Sequence, residues 1–249
     1  MINIISNQRV LITGAAEGGI GEAVLKKIIQ QENTVIVSSI NMTSNRFPGI
    51  PSLAVDCTKD KNIQNLENFI NETMGGIDCL INCIGGSLKS IDPLEIDEDF
   101  FHQVLSINLT SAFLLSQMAA RFMKKKGGSI VHIVSSSAFE PEIKKMPYGI
   151  AKAGLAHMIR SFAVYLAPFN IRINGVSPTY VFTSRHEGEL QNASKGSKNA
   201  YDELKVNRIS KQLLQKPLFP EDLVDMIEFA AVSPIMTGKI LDATLGRII

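Results

Sequence analysis

Tyr148 and Lys152 lie four residues apart in Tyr148-Gly149-Ile150-Ala151-Lys152. On a helix that spacing puts both side chains on one face. An ammonium beside a phenol favours the phenolate and lowers a pKa that is otherwise about 10. Such a pair can give or take a proton at a carbonyl or alcohol oxygen. Two more polar residues stand out. Ser135 closes the apolar run Ser129–Val134. Asn108 sits within Ser106-Ile107-Asn108-Leu109-Thr110, in a helical pattern where asparagine has poor propensity and competes for backbone bonds. Singly, each reads as a solvated face, a polar strand end or a helix bend.

The elements that must position them follow from hydrophobic periodicity. Strands are expected at Arg9–Thr13, Thr34–Ser38, Ser52–Val55, Cys79–Cys83, Ser129–Val134, Arg172–Val176 and Lys239–Leu241. Helices are expected at Gly21–Gln31, Lys61–Met74, Asp97–Lys126 (bent or broken), Tyr148–Ala167 and Glu221–Ala231. Strands that alternate with helices, and are apolar along their length, imply an α/β fold with a parallel sheet covered on both faces. Such sheets bind ligands at the carboxyl ends of their strands. The polar, lysine-rich stretch 184–216 lacks strand signals and reads as a mobile substrate lid with two short helices.

The first strand runs straight into Thr13-Gly14-Ala15-Ala16-Glu17-Gly18-Gly19-Ile20-Gly21, and a helix follows. In that context the glycines read as a phosphate-binding turn. Gly14 permits the tight turn, Gly19 the approach of backbone to a pyrophosphate, and Gly21 close packing of helix on sheet. The helix N-terminus offers free N–H groups and the positive end of its dipole. An acid about 20 residues on would hold a ribose 2′-hydroxyl. Here the second strand ends in Ser38-Ser39-Ile40-Asn41, without an acid, and Arg46 is the nearest arginine. Serines can bond a 2′-phosphate, so NADP is expected ahead of NAD.

The chain has 249 residues, 45% of them hydrophobic, enough for one α/β domain with a large core. Lys and Arg number 25 against 24 Asp and Glu, which asks for neither nucleic acid nor an anionic membrane. Three cysteines, Cys57, Cys79 and Cys83, suggest a reducing compartment without disulfides. Cys79 and Cys83 lack a His or Cys partner at ligand spacing, so no metal site is expected. Residues 1–6 carry no signal-peptide pattern, and no apolar run reaches membrane-spanning length. A cytoplasmic protein is the expectation.

Taken together, these motifs resemble the short-chain dehydrogenase/reductase family over nearly the whole chain. Thr13 to Gly21 is similar to the family's T-G-x-x-x-G-x-G turn, and Asn82-Cys83-Ile84-Gly85 to its N-N-A-G. Tyr148 to Lys152 matches Y-x-x-x-K, with Ser135 at the usual spacing and Asn108 at the family's catalytic asparagine. Ile171 to Pro178, Pro220 to Leu223 and Thr237-Gly238-Lys239 resemble its later motifs. The resemblance implies a Rossmann-like, doubly wound, seven-stranded parallel sheet in one domain, 1–249. It implies hydride transfer between a nicotinamide cofactor and a ketone or secondary alcohol.

Further roles come with the family. Tyr148 is the acid in reduction and the base in oxidation. Ser135 orients the substrate oxygen, Lys152 holds the nicotinamide ribose, and Asn108 holds a water of a proton relay. Asp56 faces the adenine, Asn82 and Gly85 line the adenosine ribose, and Thr183 touches the nicotinamide end. The cofactor-contacting set is Gly14, Gly19, Ile20, Gly21, Ser38, Ser39, Asp56, Cys57, Asn82, Gly85, Pro178, Val181 and Thr183, with Tyr148 and Lys152. A small carbonyl or alcohol substrate and a homo-oligomer, tetramer or dimer, are implied as partners.

The chain departs from the pattern in four places. Gly19 stands five positions after Gly14 where four is usual. Cys83-Ile84 replaces Asn-Ala, Thr179 replaces the glycine after Pro178, and Thr244-Leu245-Gly246 replaces Asp-Gly-Gly. Two alternatives stay open: a 3-oxoacyl-acyl-carrier-protein reductase, to which Lys124-Lys125-Lys126 would attract the carrier, and a non-catalytic nucleotide-binding regulator, which the altered turn, Ile84 and Thr179 motivate. A halohydrin-type lyase lacks the lysine of the pair, so Lys152 counts against it.

Overall fold

The computed structural model describes residues 5–43 and 46–247. The apolar runs form seven strands: β1 (Arg9–Thr13), β2 (Thr34–Ser39), β3 (Ser52–Ala54), β4 (Cys79–Asn82), β5 (Gly128–Ile133), β6 (Ile171–Pro178) and β7 (Ile240–Ala243). All pair in parallel, in the order β3-β2-β1-β4-β5-β6-β7. Eight α-helices are described: α1 (Ile20–Ile28), α2 (Asp60–Met74), α3 (Glu98–Leu105), α4 (Ser111–Met123), α5 (Met146–Leu166), α6 (Ser184–Ser194), α7 (Lys198–Ile209) and α8 (Val224–Val232). This is the Rossmann-like, doubly wound arrangement that the resemblance implies.

Alternate strand residues face opposite sides of the sheet. Leu11, Ile36, Leu80 and Ile130 belong to a core with Leu66 of α2, Leu115 of α4 and Ile159 of α5. Val10, Ile12, Val35, Ile81 and Val131 belong to a second core with Leu25 of α1 and Ile227 of α8. Each such burial contributes about 2 kcal/mol, against tenths for helix propensity. The apolar pattern therefore decides the architecture. Strand order reverses between β1 and β4, and the crevice opens above that point.

Three boundaries differ from expectation for visible reasons. The long central helix contains a π turn, Ser106–Thr110, between α3 and α4, with Asn108 at its centre. It also stops at Met123, because the N–H groups of Lys126 and Gly127 close onto the Met123 carbonyl (3.0 and 2.8 Å) and Gly127 turns left-handed (φ 80°). β6 runs on to Pro178 because β7 pairs beside it through Pro178 and Ala243. Within 184–216, α6 and α7 each start on a hydroxyl cap: Thr183 Oγ1 accepts from the His186 N–H, and Ser197 Oγ from the Ala200 N–H, both at 3.3 Å.

Candidate active site

The carboxyl ends of β1, β4, β5 and β6 surround a cavity of about 390 Å³. On one side lies the glycine turn. Gly14 is left-handed (φ 76°), and a Cβ there would sit 2.6 Å from the Ile84 nitrogen, so no other residue fits. Gly19 precedes α1 without a side-chain cap, which leaves the helix's first-turn N–H groups for an anion. The extra residue of the turn is accommodated by Gly18. Its φ is 57°, its N–H donates to Glu22 (2.7 Å), and its carbonyl accepts from the N–H of Ser184, first residue of α6 (3.3 Å). A dinucleotide's phosphates fit this cradle of small residues and open helix end.

Opposite stands α5. Pro147 in its first turn suits a helix start, and Tyr148 follows at once. Lys152 is 2% exposed, its Nζ lies 5.7 Å from the Tyr148 ring centre, and it donates to the Ile133 carbonyl at 2.8 Å. Burial lowers its pKa to about 8. The Tyr148 hydroxyl is raised above its ordinary value by burial and the charge of Glu142, offset in part by a hydrogen bond with Ser135 and by Arg185. The expected lowering of the phenol by Lys152 is therefore corrected: the ammonium is turned onto a backbone carbonyl, and desolvation dominates the phenol. Ser135 is extended at the end of β5, and its Oγ accepts from the Ser137 N–H at 3.1 Å.

Asn108 reaches this wall through the backbone. Its Oδ1 accepts from the Gly86 N–H (3.0 Å), and its Nδ2 donates to the carbonyls of Gly86 and Val104 (both 2.9 Å). A Cβ on Gly85 would meet Asn108 Oδ1 and Lys152 Nζ, each at 2.9 Å. The structure thus brings Asn108, Gly85 and Lys152 together, and the Asn108 amide is spent on fixing the 85–86 loop.

Of the other expected cofactor residues, Gly14, Gly19, Ile20, Gly85, Pro178, Val181 and Thr183 line the cavity; Gly21, Ser38, Ser39, Asp56, Cys57 and Asn82 do not. Gly21 packs α1 onto the turn, where a Cβ would meet Ala15 Cα at 2.9 Å. Ser38 is fully buried, and Ser39 nearly so. Cys57, beside Ser38, has its thiol pushed up to about 12 by burial. Asp56 Oδ1 accepts from the N–H (3.0 Å) and hydroxyl (2.7 Å) of Thr58. Arg46 is drawn onto Glu22 at 3.1 Å.

Asn82 lies in the sheet rather than the cavity. Its Oδ1 accepts from Thr13 Oγ1 (2.7 Å) and the Ile84 N–H (3.1 Å), and its Nδ2 meets His132 Nδ1 (3.0 Å). The other nitrogen of His132 meets Ser116 Oγ at 2.9 Å, and burial pushes this histidine down to about 3, so it is neutral. The signal was available: His132 interrupts an apolar strand and pairs in register with Asn82. Asn82→Leu leaves three buried groups unpaired, and a loss of about 3 kcal/mol in urea unfolding is expected. A loss below about 1 kcal/mol would show the network to be dispensable.

Sequence reasoning missed a charged wall at the substrate end. Arg247, its side chain 9% exposed, donates to Glu140 (2.6 Å), Glu142 (3.3 Å) and the Thr179 hydroxyl (3.4 Å). Glu140 also pairs with Lys211 (2.9 Å), and Glu142 with Lys145 (3.1 Å). Hydrogen bonds from Arg247 and Lys211 hold Glu140 below its ordinary value. Burial alone would raise Glu142, but Lys145 and Arg247 hold it below too. Thr179 therefore has a structural partner 68 positions away, a pairing no local pattern could reveal. Arg185, His186, Asn207, Arg208 and Lys211, from α6, α7 and the residues after them, complete the wall.

Known proteins resemble this chain in sequence and in fold. A family model described as enoyl-(acyl carrier protein) reductase matches residues 14–243. Carbonyl reductase family member 4 of Xenopus laevis is 30% identical over 230 residues, covering 90% of this chain and 91% of that protein. The 7alpha-hydroxysteroid dehydrogenase of Escherichia coli K12 is 30% identical over 183 residues, 70% and 71% of the two chains. A short chain dehydrogenase family protein from Francisella tularensis superposes with a TM-score of 0.86 at 26% identity, covering 96% of this chain and 98% of that one. L-sorbose reductase from Gluconobacter frateurii, solved with NADPH and L-sorbose, shares the fold over the full chain and 99% of its own, with a TM-score of 0.91 at 19% identity. With its glycine turn, Ser135, Tyr148 and Lys152 set around one crevice, the chain belongs to the short-chain dehydrogenase/reductase family of oxidoreductases.

Proposed function

We propose that the protein reduces a ketone, or oxidises the matching secondary alcohol, with Tyr148 as acid/base and NADP preferred over NAD. The observation that carries this reading is the convergence of Ser135, Tyr148 and Lys152 on the wall facing the phosphate turn. The bound nicotinamide would accept or supply the hydride. Tyr148 gives the proton to the substrate oxygen in reduction and removes it in oxidation. Ser135 orients that oxygen. Lys152 places a positive charge beside the phenol and a donor toward the cofactor ribose. Asn108 keeps Gly85 and Gly86 in place beside Lys152, and with its amide committed there it is not assigned the relay water that the resemblance implied. Following nicotinamide absorbance over a panel of ketones and alcohols tests the reading; no turnover with any of them would defeat it.

Two of the departures that motivated a non-catalytic role, the longer turn and Thr179, have a structural partner. The longer turn docks on Ser184, and Thr179 bonds to Arg247. The segment 184–216 is proposed as the substrate lid, since five of its residues line the far end of the cavity.

The cofactor preference rests on the absence of an acid at the end of β2 and on Arg46 as the neighbouring cation; Ser38 and Ser39 are buried and do not carry it. Arg46→Ala is expected to weaken NADPH about tenfold, as a charged hydrogen bond would, and to leave NADH unchanged. Fluorescence titration of both decides it, and equal effects would remove Arg46 from the site.

No helix among the described residues is long and apolar enough to cross a membrane. The three cysteines are free, which fits the proposed cytoplasmic setting. Assembly as a homo-oligomer through α4 and α5 is supported by exposed Phe113, Val164 and Tyr165 on those helices. Sedimentation would show it.

A further inference from the structure

The chain is almost neutral overall, with 25 basic against 24 acidic residues. The substrate end of its cavity is not. Lys145, Arg185, Arg208, Lys211 and Arg247 all line it. The nearby carboxylates Glu140 and Glu142 are already taken, by Arg247 and Lys211 and by Lys145 and Arg247. Three cations thus share two acids, and two arginines remain. Arg208 has no carboxylate within 4.0 Å among the described residues, and its guanidinium lies 5.0 Å from the centre of the Tyr180 ring. Arg185 meets a carboxylate only at Glu189, 3.7 Å away between two half-exposed side chains, one turn along α6. Inward, its Nη1 comes so near Gly86 that a Cβ there would lie 3.0 Å from it. The buried Tyr180 hydroxyl, on the same wall, has no hydrogen-bond partner.

Like charges gathered in a concave site repel one another and concentrate counter-ions. An uncharged sugar or steroid would leave both guanidinium groups unmatched while covering them from water, at the cost of desolvating unpaired charge. A carboxylate or phosphate would satisfy the planar donors two at a time. Arg185 approaches Gly86, next to the loop that carries Gly85 under Lys152, so the anion belongs close to the reacting carbon.

We propose that the substrate carries an anionic group beside its carbonyl, as in a short oxo acid or an oxo phosphate ester, and that Arg185 and Arg208 hold that group with the Tyr180 hydroxyl. The inference rests on the oxidoreductase reading above and deepens it. The relevant specificity is the ratio of kcat/KM for a charged compound and its neutral counterpart.

Two pairs test it: acetoacetate against methyl acetoacetate, and dihydroxyacetone phosphate against dihydroxyacetone. The charged member of one pair is expected to be at least about tenfold better, as one charged hydrogen bond implies, and the pair identifies carboxylate or phosphate. Arg208→Gln should bring that ratio to near one, and Arg208→Lys should restore part of it. Calorimetric binding of the four compounds to the wild type and to Arg208→Gln supplies a readout without turnover. Arg208-dependent binding of a charged compound supports the anion site even where none of the four is reduced; the hydride-transfer reading then stands or falls by the wider panel of ketones and alcohols. Equal or better use of the neutral members overturns the anion site and leaves hydride transfer standing. Absence of binding by either charged compound also overturns it. So does an Arg185→Gln variant that loses NADPH affinity with an unchanged acid-to-ester ratio, because the arginine would then serve the cofactor phosphates.

Discussion

Tyr148→Phe is expected to lower kcat about 1,000-fold while NADPH binds as before. The substitution removes one oxygen from a side chain that the helix start at Met146 and Pro147 holds in place, so the wall should keep its shape. What disappears is the proton donor, and general acid–base catalysis is worth 10²- to 10⁴-fold. The pH dependence sharpens the expectation. Burial keeps the Tyr148 hydroxyl above its ordinary value in the free protein, so near neutrality it is a phenol, ready to donate. Reduction should be nearly flat from pH 6 to 8, and oxidation, which needs the phenolate, should climb with pH. Full activity in the phenylalanine variant, or an oxidation rate that falls with pH, would remove Tyr148 from the role.

Lys152→Met should abolish most activity and yet stabilise the fold. A buried ammonium is costly, and here burial brings its pKa from 10.5 to about 8. That displacement corresponds to about 3 kcal/mol. Below about pH 8 the lysine is charged both folded and unfolded, and the penalty is present in full. Between about 8 and 10.5 the unfolded chain binds the extra proton, so the penalty fades as pH rises. Methionine fills similar space without charge, and the lost bond to the Ile133 carbonyl returns about 1 kcal/mol of the gain. The variant should therefore be about 2 kcal/mol more stable at pH 7 and about 1 kcal/mol less stable than wild type once the pH has passed about 10.5. Urea unfolding at the two pH values measures this. A variant destabilised equally at both would mean that Lys152 is retained for packing, and activity loss would then say little about chemistry.

The sheet and the catalytic wall were readable because they are local or periodic. Val10 to Ile12 announce a strand by composition alone, Gly14 a turn that needs φ above zero, and Tyr148 and Lys152 a helix face. Asn108 was noticed because asparagine is out of place in a helix, and the π turn explains the misfit. What stayed hidden depends on residues far apart in the chain. Thr179 looked like a defect until Arg247 supplied its partner. Asn82 looked like a ribose contact until His132 and Thr13 claimed its amide. The charges on α6 and α7 read as an ordinary solvated surface, and Arg185 and Arg208 are indeed exposed; nothing in their spacing says that they also line the mouth of the cavity.

The Gly18–Ser184 hydrogen bond has a bearing on descent and on engineering. It makes the length of the phosphate turn and the entry to α6 a matched set. Grafting the segment from Thr183 onward onto a scaffold with a shorter turn is expected to lose this bond. Trimming the turn here, with α6 retained, would do the same from the other side. The two stretches lie more than 160 residues apart, yet they are expected to have been gained together, and chimeras should exchange them as one module.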